Sequence, residues 1–166
     1  MISPGEAAVG ARLGHSSTTA PGGRVVVFGG ANPEQAFNTI HTLDLGTFQW
    51  VAQTPSGDAP APRYDHFAAA SGSQLVVMGG AEQAGNLADA HVLDWQTLAW
   101  RELNPTGPAP SARTMHFDAA LGDSVFVFGG GHQGSEPVDD TALYELKLPA
   151  AQWRRHDPPA TPPVRL

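Results

Sequence analysis

The sequence contains no cysteine and a single lysine among its 166 residues. Without cysteine the chain cannot form disulfides, thiolate nucleophiles or thiolate–metal bonds, and such a composition favours an intracellular, cytoplasmic protein. Acidic residues outnumber basic ones by 16 to 9, and the formal net charge of −7 disfavours a nucleic-acid partner. No apolar run approaches the roughly 18 residues that a membrane-spanning helix needs, so we also expect no membrane association.

Glycine and proline are abundant, with 19 and 15 residues, while hydrophobic residues still make up 41% of the chain. This combination favours many short strands joined by tight turns over disorder. An apolar run followed by two glycines occurs three times, at a spacing of 50 residues, and ends in Gly29-Gly30, Gly79-Gly80 and Gly129-Gly130. Each run predicts a short buried strand that stops at residues tolerating positive φ. Self-similarity at this period indicates a repeat architecture.

Each glycine pair is preceded by an Arg-x-x-His segment and followed about 20 residues later by tryptophan. The spacing predicts four short antiparallel strands per unit, with a hairpin before the glycines and a second strand pair after a variable loop. We expect the units to span residues 12–62, 63–112 and 113–155. Residues 1–11 are predicted to be a flexible lead-in, and residues 156–166 a proline-rich tail that begins a fourth repeat.

The Arg-x-x-His opening, the Gly-Gly pair and the later tryptophan resemble kelch repeats. The resemblance implies an all-β, kelch-type β-propeller with three four-stranded antiparallel blades. One departure is the third strand, where the family usually has an aromatic residue but only Tyr144 provides one, with His41 and His91 in the other units. Propellers typically close with four to eight blades, so three blades form a partial propeller, half of a six-bladed ring.

An open arc of three blades leaves two apolar blade faces in water, and three explanations remain open. The chain is a fragment of a longer six- or seven-bladed protein, or two copies join as a homodimer that completes a six-bladed propeller. Alternatively, the arc is an open solenoid whose ends are capped by a partner.

Residues that recur in every unit are predicted to build the fold, because a site that is built once should break the repeat. The competing interpretations are an arginine and histidine ring around a channel, and tryptophans that act as stacking platforms. The predicted structural residues are Arg12, His15, Gly29, Gly30, Trp50, Arg63, His66, Gly79, Gly80, Trp100, Arg113, His116, Gly129, Gly130 and Trp153.

The loops after the glycine pairs differ between units, and variable loops on a rigid scaffold are typical of binding sites. We therefore predict a non-enzymatic protein–protein interaction scaffold, whose negatively charged loops favour a partner with basic or polar loops. The alternative is a fragment or regulatory half of a larger kelch-containing enzyme or multidomain protein. Trp95 is added because it interrupts the repeat at a turn. The predicted partner-binding residues are Phe37, Asn38, Gln83, Asn86, Trp95, His132, Gln133, Glu136, Asp139 and Asp140.

Catalytic residues, a metal and a cofactor are not predicted. Glu136 and Asp140 begin the ligand spacing of the kelch proteins that hold iron, but Tyr144 occupies the position where that pattern requires histidine. Kelch copper oxidases need a cysteine crosslinked to tyrosine, and this sequence has no cysteine. The predicted partner is therefore another protein.

Overall fold

The computed structural model of the chain describes residues 9–132 and 136–159. Every regular element within these ranges is a β-strand, so they contain no helix that could cross a membrane. Three sheets follow one another along the chain, and each takes four antiparallel strands from one repeat. The all-β architecture of three successive blades predicted from the repeats is thereby confirmed.

Blade 1 contains four strands in sequence order, each paired with the next by an antiparallel ladder. Its first two strands form the predicted hairpin, and the second ends in the glycine pair. The strands of blade 1 are β1 (Leu13–Ala20), β2 (Arg24–Ala31), β3 (Ile40–Asp44) and β4 (Trp50–Gln53).

Blade 2 is larger than predicted, because its sheet has five strands, in the order Ser56–Gly57, Ala99–Leu103, Ala90–Asp94, Gln74–Met78 and Phe67–Ser71. The additional strand, Ser56–Gly57, comes from the proline-rich connector that follows Trp50, and it pairs in parallel with Ala99–Leu103. The strands are β5 (Ser56–Gly57), β6 (Phe67–Ser71), β7 (Gln74–Met78), β10 (Ala90–Asp94) and β11 (Ala99–Leu103), with a separate ladder of β8 (Ala81–Glu82) and β9 (Gly85–Asn86) in the loop.

Glycine makes this additional pairing sterically accessible. Gly57 has a φ of 81°, and a Cβ there would lie 2.2 Å from the carbonyl oxygen of Trp100. The prolines on either side of this segment remove no hydrogen bond from the sheet, because the segment lies at the outer edge of the sheet. The repeat pattern does not predict this strand, and the glycine between the prolines of the connector is the signal for the pairing.

Blade 3 repeats the four-stranded order and carries a two-stranded ladder in its loop. Its connector makes only a single parallel bridge within the described residues, between Thr106 and Gln152. The strands are β12 (Phe117–Leu121), β13 (Ser124–Phe128), β14 (Gly131–His132), β15 (Glu136–Pro137), β16 (Leu143–Lys147) and β17 (Gln152–His156).

Side chains alternate across each blade, so every blade has a leading face toward the preceding blade and a trailing face toward the following one. The core between blades 1 and 2 joins the trailing face of the first to the leading face of the second. It consists of Val26, Phe28 and Ile40 from blade 1 and Leu75, Val77, Leu93 and Trp100 from blade 2.

A second core joins the trailing face of blade 2 to the leading face of blade 3. Trp153 occupies the place in this core that Trp100 has in the first, and both tryptophans are buried. The core consists of Phe67, Val76, Met78, Ala90, Val92 and Leu103 from blade 2, and Val125, Val127, Ala142, Tyr144, Leu146, Leu148 and Trp153 from blade 3. Burial of apolar faces between consecutive blades is therefore the main favourable term that holds the arc together.

Candidate binding surface

All loops that follow the glycine pairs lie at one edge of the arc, which we call the loop edge. This follows from the antiparallel strand order, because β2, β7 and β13 all end there and β3, β10 and β16 all begin there. The hairpin turns between β1 and β2, and between β3 and β4, lie at the opposite edge, which we call the turn edge. The same division holds in the other two blades.

A buried arginine fixes the loop edge between blades 1 and 2. The guanidinium of Arg63 is fully buried and donates to the carbonyl of Gly79 at 3.1 Å and to both carboxylate oxygens of Asp89 at 2.7 Å. The backbone of Arg63 accepts from the Gly30 N–H at 2.8 Å and donates to the Phe37 carbonyl at 3.0 Å. One residue thus joins the glycine pair and loop of one blade to the strand ends of the next.

Arg113 makes the corresponding connection between blades 2 and 3. Its guanidinium donates to the carbonyl of Gly129 at 2.9 Å and to Asp140 at 3.3 Å, and its own carbonyl accepts from the Gly80 N–H at 3.1 Å. Burial alone raises the pKa of Asp140, but hydrogen bonds from Tyr144, a backbone N–H and Arg113 outweigh it and lower that pKa. Asp140, predicted to contact a partner, is therefore bound by residues of its own blade.

Blade 1 lacks this ion pair within the described part of the chain. The guanidinium of Arg12 donates to the Gly29 carbonyl at 3.0 Å, but at the position of the aspartates it meets the Thr39 hydroxyl at 3.1 Å. The guanidinium carbon of Arg12 also lies 4.2 Å from the centre of the Phe37 ring. Arg12 is only half-buried and lines a cleft of about 1180 Å³ together with Phe37 and His41. Of the three repeated arginines, only Arg12 has no carboxylate partner among the residues that the structure describes.

The histidines of the Arg-x-x-His segments fit beneath the glycine pairs. A Cβ on Gly29 would lie 2.7 Å from the His66 ring, whose Nε2 is 2.9 Å from the Ser16 hydroxyl. Burial, reinforced by nearby positive charge, lowers the pKa of His66 to about 3 and that of His116 to about 4. Both rings are therefore neutral near pH 7, and the Nδ1 atom of each is buried without a hydrogen-bond partner among the described residues.

Within residues 9–132 and 136–159, no group of three or more histidine, aspartate or glutamate side chains is arranged to hold a metal ion. The acidic side chains nearest to the repeated arginines, Asp89 and Asp140, already bind those arginines.

The loops of blades 2 and 3 contact each other at the loop edge. The Asn86 side chain donates to the Gly131 carbonyl at 3.3 Å and lies 3.5 Å from Nδ1 of His132. In blade 1, Asn38 instead donates to the carbonyl of Pro60 in the connector, at 3.2 Å. Three of the predicted loop residues, Asn38, Asn86 and His132, thus contact neighbouring segments.

Most predicted contact residues are accessible at the loop edge. Phe37, Asn86 and Asp140 are half-buried, and Gln133 lies outside the described residues. The exposed members of the set are Asn38, Gln83, His132, Glu136 and Asp139.

Trp95 is the member of the predicted set that lies elsewhere. It belongs to the hairpin turn between β10 and β11 at the turn edge, where its backbone N–H donates to the Ser73 carbonyl at 2.9 Å. The indole is half-buried and packs against the core between blades 1 and 2, and its Nε1 is buried without a hydrogen-bond partner in the described ranges. The structure therefore does not bring Trp95 together with the loop residues.

The aspartate partners of the arginines were missed in the sequence. Asp89 lies 26 residues after its arginine and Asp140 lies 27 residues after its own. Relative to the third-strand residue they differ more, because Asp89 comes two residues before His91 and Asp140 four before Tyr144. Variable loop length hides the pair, although an aspartate or threonine one to three residues before each third strand is a usable signal.

Comparison with known proteins gives a family match over nearly the whole chain. The model of the KLHDC2/KLHL20/DRC7 Kelch-repeats domain matches residues 2–165. The mouse Rab9 effector protein with kelch motifs is 44% identical over 61 residues, which cover 33% of this chain and 16% of that protein. The human protein of the same name is 44% identical over 62 residues, covering 34% and 16%. Acyl-CoA-binding domain-containing protein 5 of Arabidopsis thaliana is 43% identical over 42 residues, covering 25% and 6%.

Proposed function

Because this chain belongs to the KLHDC2/KLHL20/DRC7 kelch-repeat family, we propose that it is a non-enzymatic, cytoplasmic scaffold that binds another protein through its loop edge. The observation that carries the proposal is the clamping of each variable loop by the repeated backbone and arginine contacts. The name of the mouse and human relatives, an effector of Rab9, supports a protein partner. The matched segments cover only a small part of those relatives, so their partner is a candidate for this chain and no more.

Preorganisation is the physical basis of the proposed activity. Each loop is closed at its far end by a backbone hydrogen bond to the second glycine of its pair, as in Phe37 N–H to Gly30 at 2.8 Å, Leu87 N–H to Gly80 at 2.8 Å, and Val138 N–H to the glycine of blade 3 at 3.0 Å. A loop that is already ordered loses little conformational entropy on binding, so more of the contact energy appears as affinity.

The charge at the loop edge favours a basic partner surface. Glu34, Glu136 and Asp139 are exposed there, and none of the three forms an ion pair within residues 9–132 and 136–159. Exposed charges of this kind accelerate encounter and select the partner more than they raise affinity. We therefore expect binding to weaken as salt is raised from about 0.05 to 0.5 M, because the Debye length falls below about 10 Å in that range.

Site-specific photo-crosslinking tests which edge binds. A photoreactive amino acid replaces Gln83 at the loop edge, and the matched control replaces Gln96, an exposed glutamine at the turn edge. Crosslinking is carried out in cells, and each crosslinked protein is purified for titration against the unmodified chain, with Rab9 as the first purified candidate.

The expected result is crosslinking from position 83 to a protein that then binds the purified chain directly, and that binds the Gln83→Arg variant more weakly than the Gln96→Arg variant. Equal crosslinking from both positions, or equal affinities of the two arginine variants, would refute binding through the loop edge.

A further inference from the structure

The leading face of blade 1 is built like a blade interface but is incompletely covered. Its positions match those that blade 2 presents to blade 1, where Leu75 and Leu93 are fully buried. In blade 1 the equivalent Val25 and Leu43 are half-buried, as is Trp50, the counterpart of the buried Trp100. This half-exposed face therefore has the apolar composition of an inter-blade contact.

The trailing face of blade 3 is also incompletely covered. Phe126, Phe128 and Leu143 occupy the positions that Val76, Met78 and Ala90 fill in blade 2, as the strand registers show. The three blade 2 residues are buried in the core with blade 3, whereas the three larger residues of blade 3 are half-buried. Both ends of the arc thus present apolar sheet faces of the kind that pack between consecutive blades.

We propose that two copies of this chain pair head to tail, so that blade 3 of each packs on blade 1 of the other and a six-bladed ring closes. The occupant of both faces is a second copy because the two faces are successive members of the same repeat. Six blades lie within the four to eight with which propellers close. A two-fold axis then relates the two copies, and each face is used once.

The repeat also defines the register of this contact. At both existing junctions the second glycine of one blade donates its N–H to the carbonyl of the next blade's arginine, at 2.8 Å to Arg63 and at 3.1 Å to Arg113. By the same rule Gly130 donates to the carbonyl of Arg12 of the second copy. The N–H of Arg12 donates in turn to Val138, as the N–H of Arg63 does to Phe37.

Charge complementarity favours this pairing. At the existing junctions a neutral residue follows the loop residue that is hydrogen-bonded to the second glycine: Asn38 follows Phe37 in blade 1, and Ala88 follows Leu87 in blade 2. The arginine of the next blade already binds an aspartate at both junctions. At the proposed junction the corresponding residue is Asp139, which is exposed. The arginine beyond it is Arg12, which contacts a threonine hydroxyl where the other two contact an aspartate. The acidic loop position thus meets the arginine that lacks an acid in the described part of its own chain.

Four polar groups on the trailing face of blade 3 are compatible with burial because they pair with one another. Glu145 accepts from Ser124 at 2.9 Å, and its carboxylate lies 2.9 Å from Lys147 Nζ and 3.0 Å from His156 Nε2. In the existing junction of blades 1 and 2, the polar pair of Gln53 and Thr42 occupies the equivalent positions. A self-satisfied polar group at the outer part of a junction therefore already occurs in this fold.

Light scattering on a sizing column measures the mass of the full 166-residue chain and of three variants. The wild type is expected at twice the chain mass of 17.4 kDa. Trp50→Arg blocks the blade 1 face, Phe126→Asp blocks the blade 3 face, and both are expected at the single-chain mass. The matched control, Leu121→Asp at the exposed turn edge, is expected to remain a dimer.

Mixing the two blocked variants separates head-to-tail pairing from every other association. A mixture contains one intact pair of faces, the blade 3 face of Trp50→Arg and the blade 1 face of Phe126→Asp. We expect a heterodimer at twice the chain mass in the mixture although each variant alone is monomeric. This recovery also proves that both variants are folded, because an unfolded variant offers no face to its partner.

Three outcomes would overturn the proposal: a monomeric wild type at about 100 μM, dimers that persist in either blocked variant, or no heterodimer when variants with wild-type thermal transitions are mixed. The charge contact has its own readout. Asp139→Arg is expected to raise the dimer dissociation constant several-fold at low salt, whereas Glu102→Arg, an exposed outer-strand control, leaves it unchanged. Equal constants for the two would remove Asp139 from the contact.

Discussion

Replacing Asp89 with asparagine tests whether the buried arginine clamps hold the blades together. Arg63 is fully buried, and Asp89 is its only carboxylate partner among the described residues. The substitution preserves the shape of the side chain but removes the negative charge, so the guanidinium remains buried without neutralisation. His91 loses the same partner, because its Nε2 lies 3.0 Å from the Asp89 carboxylate.

The size of the expected loss of stability depends on the contacts that Arg63 keeps in the variant. Removing one partner of a buried ion pair costs about 3 to 5 kcal/mol. The guanidinium keeps its hydrogen bonds to the carbonyls of Ala61 and Gly79, and Asp89 is 27% exposed, so water reaches the site. We therefore expect a loss near the lower end, about 3 kcal/mol of the free energy of unfolding.

Urea unfolding followed by tryptophan fluorescence measures this loss. With a slope of about 2 kcal/mol/M, the midpoint should fall by about 1.5 M in Asp89→Asn. The matched control is Asp94→Asn, which alters a half-buried aspartate at the end of β10 that accepts hydrogen bonds from Gln96 and Thr97, and should cost about 1 kcal/mol or less. Equal losses in the two variants would refute the clamp as a main source of blade cohesion.

The pH dependence of the same pair gives a second check. Burial raises the pKa of Asp89, but hydrogen bonds from Arg63 and His91 outweigh it and hold that pKa well below its ordinary value. A carboxylate with a lowered folded-state pKa stabilises the protein above the unfolded pKa of about 3.9, and this stabilisation is lost as pH falls through the folded pKa. The difference between wild type and Asp89→Asn should therefore shrink below about pH 4 and be constant above it.

Three further predictions concern blade 1, the glycine pairs and the buried histidines. Thr39→Asp should supply Arg12 with the missing carboxylate and stabilise the isolated chain by about 0.2 to 1 kcal/mol, the range of exposed ion pairs. Gly80→Ala should destabilise far more than Gly72→Ala, because its Cβ would lie 2.6 Å from a backbone oxygen whereas that of Gly72 meets nothing within 4 Å. Since the pKa of His66 is lowered to about 3, its proton uptake on unfolding should reduce stability by about 1.4 kcal/mol per pH unit as pH falls from about 6 to 4.

Urea midpoints measure all three effects. A destabilised Thr39→Asp would mean that the Arg12 environment does not accept a carboxylate. Equal losses in Gly80→Ala and Gly72→Ala would show that the backbone moves away from the new Cβ at little cost, since both glycines have positive φ. A pH slope that is the same in His66→Gln as in wild type would exclude His66 as a source of acid sensitivity.

Local periodicity was sufficient to predict the architecture. Three patterns predict it: the four apolar residues before each glycine pair, the recurrence at 50 residues and the later tryptophans. They are sufficient because a blade is built almost entirely from one repeat. The hairpin from β6 to β7 and the buried Trp100 and Trp153 follow directly from these patterns.

Contacts between repeats were decided only by the tertiary structure. A loop of variable length separates Arg63 from Asp89 and Arg113 from Asp140, so a fixed sequence spacing cannot predict these ion pairs. Trp95 breaks the repeat, yet it packs against the core between blades 1 and 2 because its turn lies beside that core. Which side chains contact each other across blades depends on how successive sheets stack. The sequence repeat predicts the strands of each blade, but it does not predict the distances between side chains of different blades.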